Sequence, residues 1–163
     1  MRKEEKNNFI QIRVSDREKK AILKSADRMG LDISSFILSK CLSPFEKEFL
    51  EITQKLHNIK KASFVLAELH DFLQSLGSPS LKEAVKTNPD IEGYYGHYVA
   101  AMVETACDQK NILPPQWVNE SKGLEAPVFG TDLKSLRFYL LTHSPIPFRK
   151  RNIFIDSTLG SRI

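Results

Sequence analysis

Phe9-Ile-Gln-Ile-Arg-Val-Ser15 is the stretch on which the fold turns. Ile10, Ile12 and Val14 alternate with Phe9, Gln11 and Arg13, a period of two that places one set on each face of an extended strand. Ser15 and Asp16 then carry cap chemistry, and Glu18 stands three residues after Ser15, the spacing of a capping box. The pattern predicts a helix to Met29, with Ala21, Ile22, Ala26 and Met29 near helical spacing, closed by Gly30 as a left-handed stop. Asp32 caps a second predicted helix through Ile33, Phe36, Ile37 and Cys41. One strand and two helices leave backbone donors and acceptors unpaired and bury little core. Pairing the strand with its copy in a second chain meets both needs. Ile10, Ile12 and Val14 then roof a core to which Ile22, Phe36 and Ile37 contribute. The two paired strands would form a ribbon that fits the major groove of DNA, with the outward side chains doing the reading.

Outward from this stretch the pattern is helical. Phe45 to Leu76 has apolar residues at threes and fours, predicting one long helix or two broken near Lys60. Gly77 to Ser80 reads as a loop, Leu81 to Thr87 as a short helix, and Asn88-Pro-Asp90 as a turn. Gly93 to Gln109 is a further helix. A Pro- and Gly-rich stretch from Leu113 to Gly130 holds the sole tryptophan, Trp117. Thr131 caps a last helix to about His143, stopped by Pro145 and Pro147, ahead of the basic Arg149-Lys150-Arg151 and a β-like Ile153-Phe-Ile155. The fold class expected is therefore mainly α: a module of one strand and two helices over residues 1–45, then a helical domain over residues 46–163.

Composition narrows the function classes. The hydrophobic fraction of 41% and charged fraction of 27% are those of a globular chain rather than a disordered one. No apolar run reaches the roughly 20 residues that span a bilayer, and the start leads into no signal-type apolar core, so no membrane partner and a cytoplasmic location are expected. Cys41 and Cys107 read as buried free thiols, and His57, His70, His97 and His143 lack the spacing that sets two ligands on one helix face; neither metal nor cofactor is expected. Residues 1–60 hold 13 Lys and Arg against 9 Asp and Glu, whereas residues 61–163 hold 11 of each. The basic excess falls beside the expected ribbon.

Residues 8–43, through Ile10-Gln-Ile-Arg-Val-Ser15, the helix to Met29, Gly30 and Asp32-Ile-Ser-Ser-Phe-Ile37, resemble the ribbon-helix-helix family of Arc- and MetJ-like repressors and antitoxins. The resemblance implies a homodimer joined through the strand and binding double-stranded DNA, with Phe9, Gln11 and Arg13 at the bases. Arginine forks onto guanine and glutamine onto adenine, each worth roughly 1–3 kcal/mol of discrimination. It also implies a phosphate at the start of the second helix, near Asp32, Ser34 and Ser35, where free N–H groups and the helix dipole favour an anion. Lys3 and Lys6 belong to a basic arm that adds salt-dependent affinity. Phe9 departs from the polar residue expected at the first outward position.

Many such chains are antitoxins whose second segment neutralises a toxin encoded alongside. Leu113-Pro-Pro-Gln-Trp117 and Ser144 to Ile155 are similar to tails of proteins encoded next to nucleotidyltransferase-like toxins, which implies a toxin partner. Trp117, Phe148, Arg149, Arg151 and Phe154 are the candidate partner-binding residues; the aromatics among them serve equally as core of a small helical domain. A ligand-sensing repressor is the alternative. An enzyme is not expected. Eleven residues separate Leu76-Gly77-Ser78 from Asp90-Ile91-Glu92, a pattern similar to the phosphate- and magnesium-binding motif of nucleotidyltransferases, but one that falls on a helix end and a turn rather than on strands.

Overall fold

The computed structural model describes residues 10–57 and 62–156. They are mainly helical, with nine α-helices and one two-stranded sheet, and the chain divides into two compact units, Met1–Leu42 and Ser43–Ile163. The division falls three residues before the one expected, because Ser43 and Pro44 start the first helix of the second unit. Ser43 Oγ accepts from Glu46 N at 3.0 Å and Pro44 opens that helix, where its missing N–H costs nothing.

In the first unit α1 (Asp16–Arg28) begins with the anticipated capping box: Ser15 N donates to Glu18 Oε2 at 2.8 Å, and Ser15 Oγ accepts from Glu18 N at 3.3 Å. The Ser15 N–H, and then the Ser15 hydroxyl donating to Glu18 Oε2 at 2.7 Å, hold the Glu18 carboxyl below its usual value. Gly30, at φ +64°, ends the helix with Leu31 N donating to Ala26 O and Gly30 N to Asp27 O, each at 3.1 Å. This is a Schellman closure, and it is why glycine is needed there. α2 (Ile33–Cys41) starts at Asp32 and packs on α1. The strand expected over residues 9–15 is not formed. Residues 10–15 have no regular secondary structure, since a strand is defined by a partner and the described residues supply none; Phe9 lies outside the described residues. Cys41, expected to be buried, is exposed.

The second unit is built on α6 (Gly93–Gln109), where Val99 to Glu104 are buried on every side, as in a helix through the centre of a domain. Against it lie α4 (Ala62–Ser75), α7 (Gln116–Glu120) and α9 (Ile146–Arg149). α3 (Pro44–Gln54) runs into a 3-10 turn, Lys55–His57, and packs on α4 and α5 (Ser78–Ala84). Phe49, Leu56, Leu69, Leu73, Leu81, Val99 and Val103 are fully enclosed, each worth about 1.5–3 kcal/mol of burial. Cys107 lies in the same core, where burial and nearby carboxylates push its thiol up to about 11.

β1 (Val128–Phe129) and β2 (Ile153–Phe154) pair in parallel, Val128 opposite Ile153 and Phe129 opposite Phe154. α8 (Lys134–His143) and α9 provide the crossover that parallel strands require. Three expectations shift. Gly77 to Ser80 is no loop: Gly77 caps α5, which starts at Ser78 with Pro79 in its first turn. Thr131 stands outside α8, its hydroxyl accepting from Leu133 N at 3.2 Å. Pro145 and Pro147 end α8 but also open α9.

Candidate functional site

In the first unit, Ala26 is the single buried residue among those described. Ile10 is 86% exposed, Ile12 58% and Val14 43%, while Ile22, Phe36 and Ile37 are half-buried. Every residue assigned to a dimer core thus keeps apolar surface open in the single chain. Gln11 and Arg13, the assigned base readers, are exposed; Phe9, Lys3 and Lys6 lie outside the described residues. At the start of α2 the Asp32 carboxylate accepts from Ser35 N at 2.9 Å and from Ser35 Oγ at 2.6 Å, and Ser34 is exposed. Two of the three residues assigned to phosphate at this helix start, Asp32 and Ser35, are therefore bonded to each other. An incoming phosphate meets the Asp32 charge, so its net gain there is smaller than at a helix start capped by a neutral side chain.

In the second unit the assigned partner-facing residues part company. Phe148 is buried, edge-to-face with Tyr98 at 5.0 Å, and Phe154 is buried, stacked on Phe129 at 5.0 Å. Trp117 is half-buried, and its Nε1–H donates to Val85 O at 2.9 Å. Arg151 is 2% exposed. Its Nη1 donates to Glu104 Oε2 at 2.6 Å and to Pro147 O at 2.8 Å, its Nη2 to Val118 O at 2.6 Å, and its Nε to Ser121 Oγ at 3.2 Å. A partner has no access to Phe148, Phe154 or Arg151 without opening the domain. These three are interior residues, and only Arg149, half-buried with Nη1 3.5 Å from Leu141 O, keeps a surface position among the charged pair.

The arrangement around Arg151 is a strut. Lys150 Nζ donates to Glu104 Oε1 at 2.7 Å, so one buried carboxylate takes both cations. Ser121, holding the Arg151 bond, stands 2.7 Å from His97 Nδ1. Burial, and then the Arg151 charge, lower the His97 pKa. These bonds tie α6, α7, α9 and the start of β2 together. Gly123, at φ +94°, lets the 121–124 loop pass close by, with Leu124 N donating to Arg151 O at 3.1 Å. A Cβ there would sit 2.6 Å from Arg151 Cα. Gly123→Ala is accordingly expected to cost about 2–3 kcal/mol in urea unfolding, from a strained backbone and a contact with no flexible atom to give way. An unchanged midpoint would contradict this placement.

A groove of about 530 Å³ lies between α4 and α6, with Leu66, Met102, Ala106 and Phe148 on its walls and His70 and Gln74 among its polar groups. The Gly77-Ser78 and Asp90-Ile91-Glu92 pair sits on the start of α5 and on a turn in which Asp90, at φ +54°, donates its N–H to Asn88 Oδ1 at 3.0 Å. Among the described residues no cluster of three His, Cys, Asp or Glu is placed to hold a metal ion, and no helix is long and apolar enough to cross a membrane. No protein-family model matches the chain, and neither does any curated protein or solved structure.

Sequence reasoning missed the Glu104–Arg151 pair. A signal was present: Glu104 interrupts the apolar run Val99 to Ala106, and a carboxylate in a central helix needs a cation beside it.

Proposed function

We infer that the chain is a homodimeric, DNA-binding transcriptional repressor of the ribbon-helix-helix kind, the antitoxin of a toxin–antitoxin pair that regulates its own operon in the cytoplasm. One observation carries the reading. Of residues 10–42 only Ala26 is buried, while Ile10, Ile12 and Val14, spaced by two, stay exposed beside the half-buried Ile22, Phe36 and Ile37. A module with that much apolar surface and so little core gains most from a second copy, and pairing the 10–14 segments covers all six residues. Gln11 and Arg13 then face away from the core, toward DNA. The second unit has a complete core of its own and is the part left to engage a toxin.

Binding to DNA from the chain's own promoter, measured across a salt series for wild type and Arg13→Ala, tests this reading. Selective binding that weakens with salt is expected. The variant, losing one guanine contact per half-site, should bind about 30-fold to 10⁴-fold more weakly while staying dimeric. Equal binding by both proteins, or none by either, would leave the ribbon without a DNA role. A ligand-sensing repressor is the second reading, favoured by the groove between α4 and α6, whose volume suits a small molecule.

A further inference from the structure

With Phe148, Arg151 and Phe154 interior, the apolar surface of the second unit is found elsewhere. α8 buries Leu140, yet Phe138 is 79% exposed and Leu136, Tyr139 and Leu141 are exposed as well. Leu133 just before the helix and Ile146 just after it are open too. Lys134, Phe138 and Leu141 share one stripe by the helical repeat. A run of exposed large apolar side chains on one short helix is the mark of an interaction surface, unlike a single exposed residue such as Phe64 on α4.

Charge says what kind of partner fits. Residues 132–156 contain five Lys and Arg against two Asp, Asp132 and Asp156, one at each end. Glu104 answers Lys150 and Arg151, which leaves Lys134, Arg137 and Arg149 around the exposed helix. Arg137 lies over the Phe129 ring, 5.2 Å from its centroid, and its enclosed Nε has no acceptor among the described residues, so this guanidinium retains unused hydrogen-bonding capacity. Arg149 is held at the C-terminal half of α8 by its approach to Leu141 O.

We propose that α8 and its flanks, Leu133, Leu136, Phe138, Leu141, Lys134 and Arg149, are the docking surface for a protein segment with an apolar face bordered by carboxylates. This rests on the toxin-binding half of the proposed function and is independent of the DNA-binding half. Aromatic and arginine side chains amid smaller apolar ones are the composition of protein–protein contacts. Lys134 stands on the same stripe as Phe138 and Leu141, not on an opposite face as in a helix lying on a membrane.

The test places a benzophenone amino acid at Phe138, and as control at the equally exposed Phe64, in the full chain in its native host. One protein cross-linked from position 138 and not from 64 is then purified and titrated. Leu136→Asp/Phe138→Asp should weaken its binding at least about 30-fold. Lys134→Glu/Arg149→Glu should weaken it about 10-fold and flatten its salt dependence. Variant unfolding curves that match wild type through Trp117 are the control that both variants fold. Four outcomes overturn the proposal: no adduct at 138, an adduct with a second copy of this chain, a captured protein that binds both variants as it binds wild type, or binding to phosphatidylserine vesicles that the same variants abolish. A toxin that binds the chain elsewhere removes this surface alone; a chain with no protein partner removes the toxin-binding half of the proposed function too.

Discussion

Arg151→Met is expected to lower the unfolding free energy of the second unit by about 3–5 kcal/mol, the cost of breaking a buried ion pair by removing one member. The guanidinium is nearly inaccessible, and its loss leaves the Glu104 carboxylate, itself 6% exposed, with Lys150 alone and strips donors from Pro147 O and Val118 O. Urea unfolding followed through Trp117 reads the effect in the unit that contains it. Arg151→Met/Glu104→Leu should recover part of the loss, because the stranded charge is gone, but not all of it, because the two carbonyls remain unpaired. The pH dependence has a defined sign. Burial pushes the Glu104 carboxyl up, but hydrogen bonds and charge from Lys150 and Arg151 together outweigh it and hold the group below its usual value. A group depressed on folding contributes fully above its unfolded pKa of about 4.3, and that contribution fades as pH falls through the lower folded value. Wild type should therefore lose stability on acidification over that window, and Arg151→Met should lose less. A variant with the wild-type midpoint and the same acid limb would show that the pair holds nothing.

Legibility in the sequence tracks the range of the forces involved. The caps at Ser15 and Asp32 and the glycine stop at Gly30 act within a few residues, so the residues that make them also announce them. α6 falls over Gly93–Gln109 as its periodicity indicates. The misplacements sit where local signals conflict. Ser78-Pro79-Ser80 has turn composition, but serine and proline also suit the first turn of a helix, and packing of α5 on α3 decides between them. β1 and β2 are two residues each, too short to show alternation, and their pairing spans 25 positions. Residues 10–14 have clear alternation and no strand partner among the described residues, so the pattern forms no strand there. Arg149, Lys150 and Arg151 look alike in sequence; the chain at and after the end of α9 buries Arg151, half-buries Arg149 and leaves Lys150 exposed, a distinction made by tertiary placement alone. The exposed face of α8 is hidden in the sequence because Leu136, Phe138, Tyr139, Leu140 and Leu141 read as core, and only packing shows that Leu140 alone is enclosed.

Ile12→Glu is expected to abolish the dimer and DNA binding together. In the proposed ribbon Ile12 is the central inward residue, so both copies lie near the two-fold axis and a single substitution acts twice. Losing the burial of two isoleucines costs about 3–6 kcal/mol, and two carboxylates facing one another in an apolar core add to it. The dimer dissociation constant should rise at least about 150-fold, read by sedimentation across a concentration series, with a fall in helical circular dichroism as the first unit loses its only route to a core. Trp117 reports the second unit separately and should keep its unfolding midpoint. Gln11→Glu supplies the contrast, since it changes the outward face alone: it should stay dimeric and lose promoter binding through a misplaced negative charge. The two variants together separate assembly from recognition. An Ile12→Glu chain that remains dimeric would mean that the exposed 10–14 segment is not where the copies meet, and the apolar residues of α1 and α2 would then need another cover.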